Sequence, residues 1–166
     1  MYTLMAHLYQ RSQAREAFHS FRLKALIGSI GSELFRGKNR LQDFGEQKGK
    51  IYPTPKYMGV QEIPLDQIAG SVGRKDDFDN QFRPLKDHLR ERWVNVYLRL
   101  QVEDLPAIQV YQVGDRYFVE DGHHRVSAAR YIGRKFIQAE VWLYGEHASC
   151  NSCCPAIKME SRAFNV

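Results

Sequence analysis

The stretch Val113-Gly114-Asp115-Arg116-Tyr117-Phe118-Val119-Glu120-Asp121-Gly122-His123-His124-Arg125-Val126-Ser127-Ala128-Ala129-Arg130 changes its periodicity at Gly122. Gly114-Asp115 lies between apolar runs, which predicts a two-residue hairpin turn. Tyr117-Phe118-Val119 is aromatic and β-branched, as a strand should be. Beyond Gly122 the apolar residues Val126, Ala129 and Tyr131-Ile132 recur at helical spacing, and Gly133 supplies the stop. The intervening turn is therefore a strand's carboxyl end and a helix's amino end. Free backbone N–H groups and the helix dipole attract anions at such a place. Two imidazoles and a guanidinium there (His123, His124 and Arg125) favour phosphate.

Outward from this turn, the chain has 166 residues, enough for one domain with a core and an appendage. A hydrophobic fraction of 43% predicts a folded globular protein rather than a disordered one. No run approaches a membrane span, and the start Met1-Tyr2-Thr3-Leu4-Met5-Ala6-His7-Leu8 lacks the basic lead and long apolar core of a signal peptide. A cytoplasmic location and no membrane partner are the resulting expectations. Cys150, Cys153 and Cys154 all lie near the C-terminus and form no disulfide framework, which also suits a reducing compartment.

Charge is unevenly spread. Residues 1–56 carry ten Lys/Arg against four acids, a net +6, while the rest carries 14 basic and 15 acidic residues, a net −1. That asymmetry suggests an anionic partner for the first third, such as DNA or RNA; a solvated arginine-rich helix is the plainer reading. Residues 1–36 contain no proline and read as helical, with Leu23, Ile27, Ile30 and Leu34 on one apolar face that Phe18 and Phe21 extend. Gly28 and Gly31 weaken it or allow a bend between two helices. This extension would pack on its own domain, or serve as a homodimerisation arm. Residues 37–58 read as a polar linker rich in glycine and proline.

The compact domain is expected over 58–145. Val60-Gln61-Glu62-Ile63-Pro64 reads as a strand, Leu65-Asp66-Gln67-Ile68 as a helical turn, and Gly70-Ser71-Val72-Gly73-Arg74 as a flexible loop with one arginine. Asp76, Asp77 and Asp79 could hold a metal, or begin a solvated helix. Pro84 to about Leu100 reads as a helix, with proline in its first turn and Leu85, Leu89, Trp93, Val96 and Leu100 as a core stripe. Leu105 to Tyr111 and Phe136 to Tyr144 read as strands. Residues 146–166 form a cysteine-containing tail, where His147, Cys150, Cys153 and Cys154 match the ligand count of zinc, or are free thiols.

Within the turn, Arg125 offers a fork of donors to phosphate, or a salt bridge to Asp121 or Glu120. His124 would donate to phosphate or hold the turn. His123 could ligate a metal, act as a base or face solvent. Asp121 could cap the helix or hold Mg²⁺ bridging phosphates. Ser127 lies in the first helical turn, where its hydroxyl and N–H can reach a phosphate. Arg130 is expected at the surface.

The blocks Leu105-Pro106-Ala107-Ile108, Tyr117 to Ala129 and Ile137-Gln138-Ala139-Glu140-Val141, with the opening box Ile63-Pro64-Leu65-Asp66-Gln67-Ile68, resemble the ParB/sulfiredoxin superfamily over residues 59–144. The resemblance implies an α+β fold: a small mixed sheet with packed helices, here preceded by an N-terminal helical extension. It also implies a nucleoside di- or triphosphate with Mg²⁺ at the turn, its phosphates held by Gly122, His123, His124, Arg125 and Ser127. Sulfiredoxins place a nucleophilic cysteine where this chain has His123, so their thiol chemistry is not expected here. ParB proteins bind CTP at this box and add a helix-turn-helix DNA reader, for which residues 146–166 are too short. Other members are free-serine kinases using ADP or ATP. The resemblance thus implies a nucleotide-binding protein, as a nucleotide hydrolase or small-molecule kinase with Asp121 and His123 as catalytic candidates, or as a non-catalytic DNA-associated protein using its basic N-terminal third.

Overall fold

The computed structural model describes residues 2–34, 41–45 and 54–144, with the side chains of the first helix described over 5–28. The helix α1 spans Tyr2–Leu34 and β1 spans Gln42–Asp43. Then come β2 (Lys56–Pro64), a 3₁₀ turn (Leu65–Gln67) and β3 (Ile68–Ser71). A second 3₁₀ turn (Asp87–Leu89) leads into α2 (Arg90–Arg99). The strands β4 (Ile108–Val113) and β5 (Arg116–Asp121), the helix α3 (His123–Ile132) and β6 (Phe136–Tyr144) complete the set. Among the described residues this is an α+β fold, a six-stranded mixed sheet ordered β1-β3-β5-β4-β6-β2 with an N-terminal helix before it.

The hairpin forms as its sequence predicts: Val113 pairs with Arg116 across Gly114-Asp115. From it, β5 runs antiparallel to β4 and parallel to β3, while β4 runs parallel to β6. Because β3 and β5 are parallel, Ser71 and Asp121 end their strands on the same side of the sheet. Side chains alternate faces along a strand. Tyr117 and Val119 join the main core with Ile68, Ile108, Val110, Trp93 and Val126, while Phe118 joins Phe44 and Tyr144 in a second, aromatic cluster. That alternation explains why three successive residues of β5 are buried.

Several segments differ from their sequence reading. The supposed loop at 70–74 begins as strand. Gly70 is there for contact rather than freedom: a Cβ would stand 2.3 Å from the Gln42 carbonyl and 2.7 Å from Phe118 Cδ1. Close approach of three strands demands glycine. The linker reading of 37–58 gives way where it is described. Gln42–Asp43 pairs in parallel with Gly70–Ser71, and Leu41 and Phe44 are buried; residues 37–40 and 46–53 lie outside the described residues. The helix expected from Pro84 starts only at Arg90. Before it, Phe78 bridges Pro84, and the buried Asp79 carboxylate accepts N–H bonds from Gln81 (3.0 Å) and Arg83 (2.8 Å) and the Arg83 Nε–H (2.6 Å). Asp79 is therefore a loop organiser, and no cluster of three metal-binding side chains exists among the described residues.

The helix α1 runs unbroken through Gly28 and Gly31. Its inner face is not the Leu23/Ile27 stripe but Ala14, Phe18, Phe21 and Ala25, all buried. Aromatic packing decides this. Phe18 and Phe21 reach the buried Trp93 at centroid distances of 5.7 and 6.3 Å, and Phe21 meets Tyr131 at 5.1 Å. Burying each phenyl is worth about 2–3 kcal/mol. Arg11 and Arg15 pair with Glu91, and Arg22 with Asp87, so part of the N-terminal positive charge is matched within the fold. No described helix is long and apolar enough to cross a membrane.

Candidate functional site

The site lies where β3 and β5 end and α3 begins. Gly122 is the residue before the helix, at φ 101°, and no side chain caps that end. Here glycine is needed twice over: the φ is left-handed, and a Cβ would stand 2.4 Å from Ile108 Cγ2. The sequence reading of Asp121 as helix cap does not hold, because its carboxylate binds Arg125 instead. An uncapped helix start leaves first-turn N–H groups to solvent or to a ligand.

Both histidines turn inward, so the solvent-facing option for His123 fails. His123 is 4% exposed and its Nε2 lies 2.6 Å from Ser71 Oγ, which also accepts the Arg74 backbone N–H at 3.2 Å. Phe78 stacks on the His123 ring at 6.1 Å and meets the His124 ring edge-on at 5.6 Å. His124 is 6% exposed, and its Nδ1 is buried with no hydrogen-bond partner. Burial pushes both imidazoles down to about 4, helped by the positive charges of Arg74 and Arg92. At neutral pH the two rings are uncharged.

Arg125 is spent on structure. Its guanidinium donates to the Pro106 carbonyl (2.6 Å) and the Ala107 carbonyl (2.9 Å), and it pairs with Asp121. It therefore ties the helix start to the approach of β4. Ser127 is fully buried, and its Oγ accepts the Trp93 indole N–H at 2.9 Å, joining α3 to α2. Arg130, expected at the surface, is instead mostly covered. It donates to the carbonyls of Leu65 (2.5 Å), Ile68 (3.0 Å) and Asn80 (3.3 Å) and lies 5.0 Å over the Phe82 ring. Burial lowers its proton affinity.

The structure thus brings Gly122, His123 and His124 to one place and assigns Arg125 and Ser127 visible structural bonds. It adds residues that the sequence left aside. Ser71 orients His123, Arg74 follows in the next turn, and Arg92 reaches the same field from α2. Arg92 is exposed and has no hydrogen bond or ion pair among the described residues. Its only sequence signal was its position off the apolar stripe of α2. The zinc candidates His147, Cys150, Cys153 and Cys154 lie outside the described residues.

No family model matches the chain, and no curated relative does. Among solved structures, the chain is similar to sulfiredoxin from Arabidopsis thaliana at 20% identity and a TM-score of 0.38, over 49% of this chain and 82% of that one.

Proposed function

We propose that this chain binds the phosphates of a nucleoside di- or triphosphate at the turn between β5 and α3, with Mg²⁺ arriving on the phosphates. The observation that carries this is the uncapped start of α3, which holds a buried His124 with an unpartnered Nδ1 and lies within the field of Arg92, a side chain with no hydrogen bond or ion pair among the described residues. A phosphate there would meet first-turn N–H groups, the helix dipole and guanidinium charge together. The residues present suit a phosphate better than a resident metal: Asp121 is tied to Arg125 and Asp77 to Lys86, so neither carboxylate stands open for a cation. If hydrolysis or phosphoryl transfer follows binding, His123 is the candidate base, held in place by Ser71.

The test is calorimetry of the full chain with ATP, ADP, CTP and inorganic triphosphate, each with and without Mg²⁺. Binding of at least one is expected, and Arg92→Ala should weaken it. A chain that binds none of the four is not a phosphate-binding protein at this turn. Release of inorganic phosphate, lost in His123→Gln while binding persists, would mark a catalyst; binding without release would mark a ligand-controlled module.

A further inference from the structure

The helix α1 has a second apolar face that its own domain does not use. Its inner stripe is buried on α2, yet Met5, Leu8, Tyr9, Leu23 and Ile27 are 66%, 54%, 65%, 56% and 62% exposed. At 100° per residue these five share one side, opposite Ala14, Phe18, Phe21 and Ala25. They fall into two groups separated by a constant 18 residues: Met5 to Leu23 and Tyr9 to Ile27. Eighteen residues are five turns, about 27 Å along the axis. Between the groups the same side carries Ser12, Glu16 and His19, all exposed.

We infer that this face of α1 is the contact between two copies of the chain, packed antiparallel about a two-fold axis level with Ala17 and Phe18. An isologous contact requires a self-complementary surface. Two apolar groups at either end of one helix face meet that requirement when the second helix runs the opposite way, because each group then covers the other. Apolar overlap alone would favour a sum of 32, which sets Met5 against the partner's Ile27 and Tyr9 against the partner's Leu23; charge moves the register by three residues. Positions whose numbers sum to 35 place Leu8 opposite the partner's Ile27, and Glu16 opposite the partner's His19, twice over. An imidazole donates to a carboxylate whether neutral or protonated. A slip to a sum of 32 would set Glu16 against its own copy. The area is also of the right order: the five side chains expose on the order of 600 Å² per copy, and the intervening polar residues bring this towards the ~800 Å² per partner of a standard interface.

Sedimentation equilibrium of the full chain tests this across a range of concentrations. A dimer is expected. Leu8→Glu combined with Ile27→Glu should give a monomer with an unchanged far-UV circular dichroism spectrum, since neither side chain belongs to the core. Glu16→Lys should weaken the dimer by about tenfold, and adding His19→Glu should restore most of it. A monomer at every concentration overturns the proposal, whatever else the face binds. A dimer that survives the Leu8/Ile27 change places the contact elsewhere and overturns it too. A charge exchange that fails to restore association overturns the register.

Discussion

The two ends of α3 hold buried polar groups of opposite character. At its carboxyl end, Arg130 spends its guanidinium on three backbone carbonyls and one aromatic ring. At its amino end, His124 keeps a buried Nδ1 with no partner, and Arg92 stands nearby with none. A buried polar atom without a partner costs about 1–3 kcal/mol. The satisfied end is therefore a clamp that stabilises the fold, and the unsatisfied end is where a ligand would gain most. One loop ties the two together: Phe82 lies beneath Arg130 and 6.3 Å from the His123 ring, at φ 57°, a left-handed conformation rare for a bulky residue.

The sharpest way to break this contrast is at the satisfied end. Arg130→Met would remove the guanidinium donor from the carbonyls of Leu65, Ile68 and Asn80 and should cost about 3 kcal/mol in urea unfolding, by the loss of two partly buried hydrogen bonds and one exposed one. Its effect on a ligand at the other end should be small in whatever protein remains folded.

Acid should act on the unsatisfied end. An unfolded imidazole takes up its proton near pH 6.5, whereas the folded His123 and His124 do so only at about 4. Between those values the unfolded chain binds more protons, so stability must fall as pH drops from about 6.5 towards 4. Each imidazole accounts for at most about 3 kcal/mol of that loss. Replacing His124 by Gln should flatten the acid limb of a stability–pH profile by up to this amount; an unchanged limb would mean that these rings are not buried neutral.

A smaller effect is expected at the glycine that precedes the two rings. Gly122→Ala must adopt a left-handed φ and press on Ile108, for a cost of about 2 kcal/mol, read as a lower melting temperature. The smallest stability change, within about 0.5 kcal/mol, is expected for Arg92→Ala, which is exposed and has no hydrogen bond or ion pair among the described residues. That variant should still lose about tenfold in phosphate affinity, by removing one charge-assisted contact. Equal losses of stability and affinity in Arg92→Ala would erase the distinction between the two ends.

Much of the local structure was legible in the chain itself. Gly114-Asp115 as a two-residue hairpin, Tyr117 to Val119 as strand, and Gly122 and Gly133 as the limits of a helix depend on neighbours a few residues away. Turn chemistry and periodicity encode such features directly. The position of the turn proposed to bind phosphate followed from the same local pattern. The fate of each charged side chain did not. Arg130 and Ser127 were judged by residue type, yet what each binds lies 34 to 65 residues distant, at Leu65, Ile68 and Trp93, and Arg125 adds to its near neighbour Asp121 the carbonyls of Pro106 and Ala107, 19 and 18 residues away.

The inner face of α1 shows the same limit. Leu23 and Ile27 carry as strong an apolar signal as Phe18 and Phe21, and one helix can hold two apolar faces. Only the aromatic surface of Trp93 and Tyr131 selects which one is buried. Periodicity names the candidates for burial because it is a property of one helix. Partner choice is a property of two elements, settled by shape and by which carbonyls need donors, and so it belongs to the tertiary structure alone.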